Sequence, residues 1–191
     1  MRVILASQSP RRKELMQLLG VAFEVQVAQV DEYMDPDKPV EQEVARVSLK
    51  KALAVPHTPE DIVIAADTIV VCDGKVLGKP KDEADAFGML TLLSGREHQV
   101  MTGLSVLYAG RQVCCTEITN VQFAALTQTQ IRKYIATKEP MDKAGSYAIQ
   151  GGAALFVEKI CGDYFNVVGL PVCKLGSILR EIAPECMEEG Q

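Results

Sequence analysis

Ser9, Pro10, Arg11 and Arg12 follow the apolar run Val3, Ile4, Leu5, Ala6 near the start of the chain. That order reads as a buried strand feeding a helix, with Ser9 at the N-cap, Pro10 at the first helical position and Gly20 past the end. A helix N-terminus presents unpaired N–H donors and a partial positive charge, which attract anions. Arg11 and Arg12 oppose that dipole, which makes physical sense where a phosphate chain fills the space. The alternative is a pair of solvated surface arginines. Asp67 is the second conspicuous residue, standing between the apolar runs 62–66 and 69–72. A carboxylate there is costly to bury unless it is paired, bound to a metal or exposed at a strand end. A bulge, or an Asp67-Thr68 turn bonding its own backbone, would also account for it. A functional carboxylate at that point would hold a divalent cation or activate water.

Asp31 and Glu32 offer further oxygen ligands from a loop, although acid pairs in loops are commonly just solvated. Lys51 falls on the polar side of a helix and, taken alone, reads as a surface residue. Lys79 lies in Leu77-Gly78-Lys79-Pro80, an ordered loop that would aim its ammonium. Carboxylates, lysines and an arginine-bearing helix start are together the parts of metal-assisted phosphate chemistry. No G-x-x-x-x-G-K-[ST], G-x-G-x-x-G or G-x-S-x-G motif occurs. His57 and His98 lack the context of a Ser-His-Asp or Cys-His site.

These residues need elements to position them. Alternation over residues 23–27 predicts a second strand, and helical spacing marks residues 40–55. The run 62–66 has the continuous apolar character of a central strand covered on both faces, interrupted at Asp67-Thr68 and resumed over 69–72. Asp73-Gly74 is a hairpin signal before a short strand over 75–77. Residues 81–93 form an amphipathic helix with Ala84, Phe87, Leu90 and Leu93 inward. Long antiparallel strands over 100–108 and 112–123 meet at Ala109-Gly110. Thr127 and Gln130 make a capping box for a helix reaching Thr137. Short strands are expected over 154–160 and 166–168, and a closing helix over 172–182. The sum is an α/β chain with a mixed central sheet flanked by helices.

The 191 residues carry a net charge of −5, which argues against a general nucleic-acid binder. Arg2, Arg11, Arg12 and Lys13 nevertheless all precede the first acid, Glu14, so a local anion site is compatible with that balance. Glu181, Glu185, Glu188 and Glu189 read as a solvated end, with 184–191 flexible. The six cysteines (72, 114, 115, 161, 173, 186) contain no C-x-x-C pair and read as reduced, small apolar residues. With no linker, repeat, signal-like segment or membrane-length run, one domain over 1–191 in the cytoplasm is expected, with neither a membrane nor a nucleic acid as partner.

Taken in order, Ser7-Gln8-Ser9-Pro10-Arg11-Arg12, Asp31-Glu32, Lys50-Lys51-Ala52, Ala66-Asp67-Thr68, Gly78-Lys79-Pro80, Asp142-Lys143-Ala144-Gly145 and the segment Gly162 to Pro171 resemble the Maf-type nucleoside triphosphate pyrophosphatases, also called septum-formation inhibitor proteins. The resemblance spans nearly the whole chain. It implies an inosine-triphosphatase-like fold and a cytoplasmic homodimer that uses a divalent cation, Mg2+ or Mn2+, to cut between the α- and β-phosphates. By the same resemblance Asp67 is the proton acceptor, with Glu32 and Asp67 at the metal. Lys51 and Lys79 serve the phosphate site, Lys79 as a catalytic residue with Asp67; Ser9 and Arg11 help bind substrate, and Arg12, Thr68 and Gln150 set specificity. Ala148-Ile149-Gln150-Gly151 is similar to the branch acting on dTTP and UTP, in the service of nucleotide-pool housekeeping. The reading from another class is a nucleotide-binding regulator of septum formation that does not turn over.

Overall fold

Three consecutive buried residues, Val3–Leu5, form the first strand, β1. The structure is a computed structural model that describes residues 1–188, Glu188 by its backbone alone. The remaining strands are Glu24–Val25 (β2), Ile62–Cys72 (β3), Lys75–Leu77 (β4), Glu97–Tyr108 (β5), Arg111–Phe123 (β6) and Val157–Cys161 (β7). Among the described residues these make one mixed sheet ordered β2-β1-β3-β5-β6-β7, with β4 paired to β3. β1 runs parallel to both β2 and β3, whereas β3–β4 and β6–β7 are antiparallel. Flanking helices are Pro10–Gln17 (α1), Val40–Ala54 (α2), Glu83–Leu93 (α3), Gln128–Ala136 (α4), Tyr164–Val168 (α5), Val172–Ile182 (α6) and Glu185–Glu188 (α7). The expected mixed α/β architecture is what the chain adopts.

Two compact units are distinguished by their contacts. The first comprises Met1–Asp67, Thr102–Glu117 and the chain from Gly169 onward; the second comprises Thr68–Met101 and Ile118–Val168. In the first unit Ile4, Ala6, Val63, Ala65 and Leu107 pack with Ala52 and Val55. α2 lies directly on β5, because a Cβ at Gly103 would stand 2.3 Å from the Val44 carbonyl oxygen. The Ser48 and Ser105 hydroxyls share a buried hydrogen bond of 2.7 Å across the same contact. The second unit is built on edge-to-face rings: Phe123 with His98 and with Tyr147, both at 4.9 Å, and Tyr134 with Phe156 at 5.2 Å.

Several elements differ from the sequence reading. Asp67-Thr68 do not break the central strand, since β3 runs unbroken from Ile62 to Cys72. The strand expected over 23–27 shrinks to Glu24–Val25, both exposed. Ala86, not Ala84, shares the inward face of α3 with Leu90 and Leu93. Residues Gly152–Phe156 form a 3-10 turn ahead of β7. The expected strand at 166–168 is the end of α5, where the buried Asn166 amide donates to the Val100 carbonyl and the Thr119 hydroxyl, each at 3.0 Å. The reading of 184–191 as a flexible tail meets a helical turn, α7, and lies otherwise outside the described residues, as does Glu189.

Candidate active site

β1 pairs with β3 only as far as Leu5 opposite Ile64, and Ala6 N–H closes the ladder on the Ile64 carbonyl at 2.8 Å. There the chain leaves the sheet for α1 while β3 continues, so Asp67 stands beyond the carboxyl end of β1. In open α/β sheets that edge is where ligands bind. The Lys51 ammonium donates to Asp67 Oδ1 at 2.5 Å and to Glu32 Oε1 at 2.7 Å. Lys51 is therefore no surface lysine: two carboxylates draw it in, leaving its side chain 14% exposed and that of Asp67 11%. Glu32 remains open to solvent at 59%.

Arg12 joins the same group from α1. Its Nε donates to the Gly169 carbonyl at 2.8 Å and its Nη1 to the Ser7 hydroxyl at 3.3 Å. Burial lowers the guanidinium pKa below its usual value; Asp67 opposes that effect, Arg11 reinforces it, and Glu32 again opposes it. A guanidinium stays charged regardless, so this partial desolvation is a cost that an incoming anion relieves. Arg11 is half-buried in the first turn of α1. Ser9 occupies the N-cap with extended backbone, but its side chain makes no cap bond. The expected cap is replaced by a turn two residues long, in which Ser9 N–H donates to the Ser7 hydroxyl at 3.2 Å.

Ser7, Gly169 and Glu43 brace this cluster; Ser7 and Gly169 lie in motifs of the family resemblance without a role of their own, and Glu43 lies in none. The Ser7-x-Ser9 spacing of such a turn was visible as a signal, whereas the Gly169 contact is purely tertiary. Glu43 is 2% exposed and accepts from Asp35 N–H at 2.8 Å and from Arg46 Nη2 at 2.6 Å. Arg46 Nη2 also donates to the Tyr33 carbonyl at 2.6 Å, so the pair ties down the loop bearing Glu32. The Arg46 bond, then that from Asp35, brings the Glu43 carboxyl down from the usual 4.5 to about 2. An acid followed three residues later by Arg was the available signal; its burial was not. Asp31 braces this loop, its carboxylate accepting from Tyr33 N–H at 2.9 Å.

Thr68, Lys79 and Gln150 belong to the second unit. Thr68 is half-buried on β3, the residue after Asp67. Lys79 is exposed in the loop after β4, which is anchored where Gly145 N–H donates to the Gly78 carbonyl at 3.0 Å. Gln150 is exposed in a turn closed by Gly151 N–H on the Ala148 carbonyl at 3.0 Å.

Among the described residues no group of three or more His, Cys, Asp or Glu side chains is arranged to hold a metal ion. Glu32 and Asp67 nevertheless converge on one cationic atom, Lys51 Nζ. Two hard oxygens that can meet a common cation suit magnesium, which is usually held by one or two carboxylates together with substrate phosphates and water. The residues fit a metal that arrives with its substrate rather than one caged by protein alone. All six cysteines are free, and among the described residues no helix is long and apolar enough to cross a membrane.

Comparison with known proteins adds to this geometry. The chain is 50% identical over 180 residues to the dTTP/UTP pyrophosphatase of Bacillus pumilus (strain SAFR-032), covering 94% of this chain and 95% of that protein. It is 51% identical to the protein of the same name from Geobacillus sp. (strain WCH70), covering 95% and 96%. The solved structure of a HAM1 protein from Coxiella burnetii overlaps 95% of this chain and 99% of its own, with 13% identity and a TM-score of 0.49. The family model described as Maf-like protein matches residues 2–182, and the chain belongs to that family.

Proposed function

We propose that this protein is a nucleoside triphosphate pyrophosphatase that converts dTTP and UTP to the nucleoside monophosphate and pyrophosphate. The carrying observation is the Glu32–Lys51–Asp67 triad with Arg12 beside it, in a chain 50% identical to a relative named for that activity. Arg11, Arg12 and Lys51 set three cations against the two carboxylates, a surplus suited to a triphosphate. In the reaction a water oxygen attacks the α-phosphorus and gives its proton to the Asp67 carboxylate. The bond from that phosphorus to the bridging oxygen breaks, and pyrophosphate leaves with the electron pair. Lys51 holds Asp67 in place beforehand, and the family resemblance gives both Lys51 and Lys79 to the phosphates. A divalent ion held by Asp67 and Glu32 would supply Lewis-acid stabilisation of the phosphate charge.

Gln150 reads the base in this proposal. Its amide accepts from the imide N3–H of thymine or uracil and donates to a neighbouring carbonyl oxygen. Guanine offers two adjacent donors, which suit a carboxylate instead. A nucleotide-binding regulator without turnover would need cations and donors but no proton acceptor, so the buried Asp67 favours the enzyme. The test is steady-state hydrolysis of dTTP, UTP, CTP and 7-methyl-GTP with magnesium or manganese. We expect dTTP and UTP to give the highest kcat/KM, with activity abolished by EDTA and restored by either ion. Undiminished hydrolysis after chelation would remove the metal from the mechanism. Tight dTTP binding without hydrolysis would favour the regulator.

A further inference from the structure

The Gln150 turn is held by two side chains for which neither the family resemblance nor the reaction supplies a role. The Tyr134 hydroxyl donates to Glu139 Oε1 at 2.7 Å and accepts from Ala148 N–H at 3.0 Å. Glu139 in turn accepts from Gly152 N–H through both oxygens, at 3.1 and 3.2 Å. The amides so captured lie on either side of Gln150, two residues away in each direction. The approach is close: a Cβ at Gly151 would stand 2.2 Å from Glu139 Oε1. Tyr134 is itself 5% exposed and packs its ring on Phe156. Burial, then the bond to Glu139, raises the phenol pKa well above its usual range and keeps it a donor. Ile149, 7% exposed, anchors the turn inward while Gln150 stays exposed.

We propose that Tyr134 and Glu139 are positioning residues for base selection: they clamp the backbone around Gln150 and so fix where its amide points. The assignment rests on the dTTP/UTP reading given above. A glutamine amide discriminates between bases only if its donor and acceptor ends are held in register, because selectivity of this kind comes from leaving mismatched polar groups unpaired. An unclamped turn would let the amide rotate and meet either pattern. The clamp touches the main chain, so it acts on whichever side chain occupies position 150.

The test is a double-mutant cycle between Tyr134→Phe and Gln150→Ala, with Glu139→Gln as a second clamp variant. Tyr134→Phe keeps the ring packing and removes only the hydroxyl. We expect amide hydrogen exchange at Ala148 and Gly152 to speed up in both clamp variants. The kcat/KM preference for dTTP over CTP should fall by about tenfold, which is what one lost hydrogen bond of ordinary strength is worth. The loss should be carried more by KM than by kcat. In the background of Gln150→Ala, Tyr134→Phe should cost no further preference, since coupling through a shared element is not additive. A clamp that merely stabilises the fold would lower the thermal midpoint and leave the preference ratio unchanged; that result overturns the assignment alone. Additive losses in the cycle would overturn it equally. A wild-type protein that hydrolyses none of these nucleotides overturns the pyrophosphatase reading itself, and base selection with it.

Discussion

Lys51 is held by carboxylates from two other parts of the chain, Glu32 in a loop and Asp67 in a strand. Taken alone it looks like any lysine on the polar side of a helix, because nothing local to α2 signals its partners. Asp67 is different: a carboxylate amid β-branched residues announces itself, and the sequence reading went astray only in expecting a break in the strand. The strand survives because the carboxylate is paired, which removes the cost of burying it alone. Asp67→Asn keeps the size of the side chain while giving up the carboxylate proposed as proton acceptor. We expect that variant to fold, with an unchanged far-UV spectrum, and to lose about 10²–10⁴-fold in kcat for dTTP. Near-normal turnover in a folded variant would show that Asp67 is not the base.

Elements governed by local rules were legible from sequence, and those governed by distant contacts were not. The closing helix α6 spans Val172–Ile182 as expected, and the Thr127–Gln130 capping box forms with both of its bonds. The Asp73-Gly74 hairpin forms with both residues at positive φ. By contrast, residues 166–168 are expected as a short strand, whereas tertiary bonds to Val100 and Thr119 fix Asn166 inside α5. The seating of α2 was equally invisible, because Gly103 sits in an ordinary strand pattern and its partner is a main-chain carbonyl. Gly103→Ala tests that contact. With 2.3 Å between the new Cβ and the Val44 oxygen, α2 must shift, and it carries Lys51 with it. We expect about 1–3 kcal/mol of destabilisation in urea unfolding, with a fall in dTTP turnover. An unchanged midpoint would show that α2 is not seated through this contact.

For the whole molecule, buried ionisable groups set the acid limit of stability. His98 is 2% exposed, with its Nε2 against the Tyr147 hydroxyl at 2.9 Å. Burial is the main cause that depresses its pKa from 6.5 to about 4. The unfolded chain therefore takes up this proton first, and stability present above pH 6.5 is lost as the pH falls towards 4. Glu43, at about 2 against 4.5 when unperturbed, extends the loss below pH 4.5. Urea unfolding across this range should show a slope between pH 6.5 and 4 that flattens in His98→Gln; an identical slope in the variant would assign it to other groups. In the proposed reaction these folds and pairings serve one chemical event, the breaking of the bond between the α- and β-phosphates. Its most direct test is product analysis of dTTP turnover by phosphorus NMR. We predict dTMP and pyrophosphate in equal amounts with no dTDP, whereas dTDP and orthophosphate would contradict cleavage at that bond.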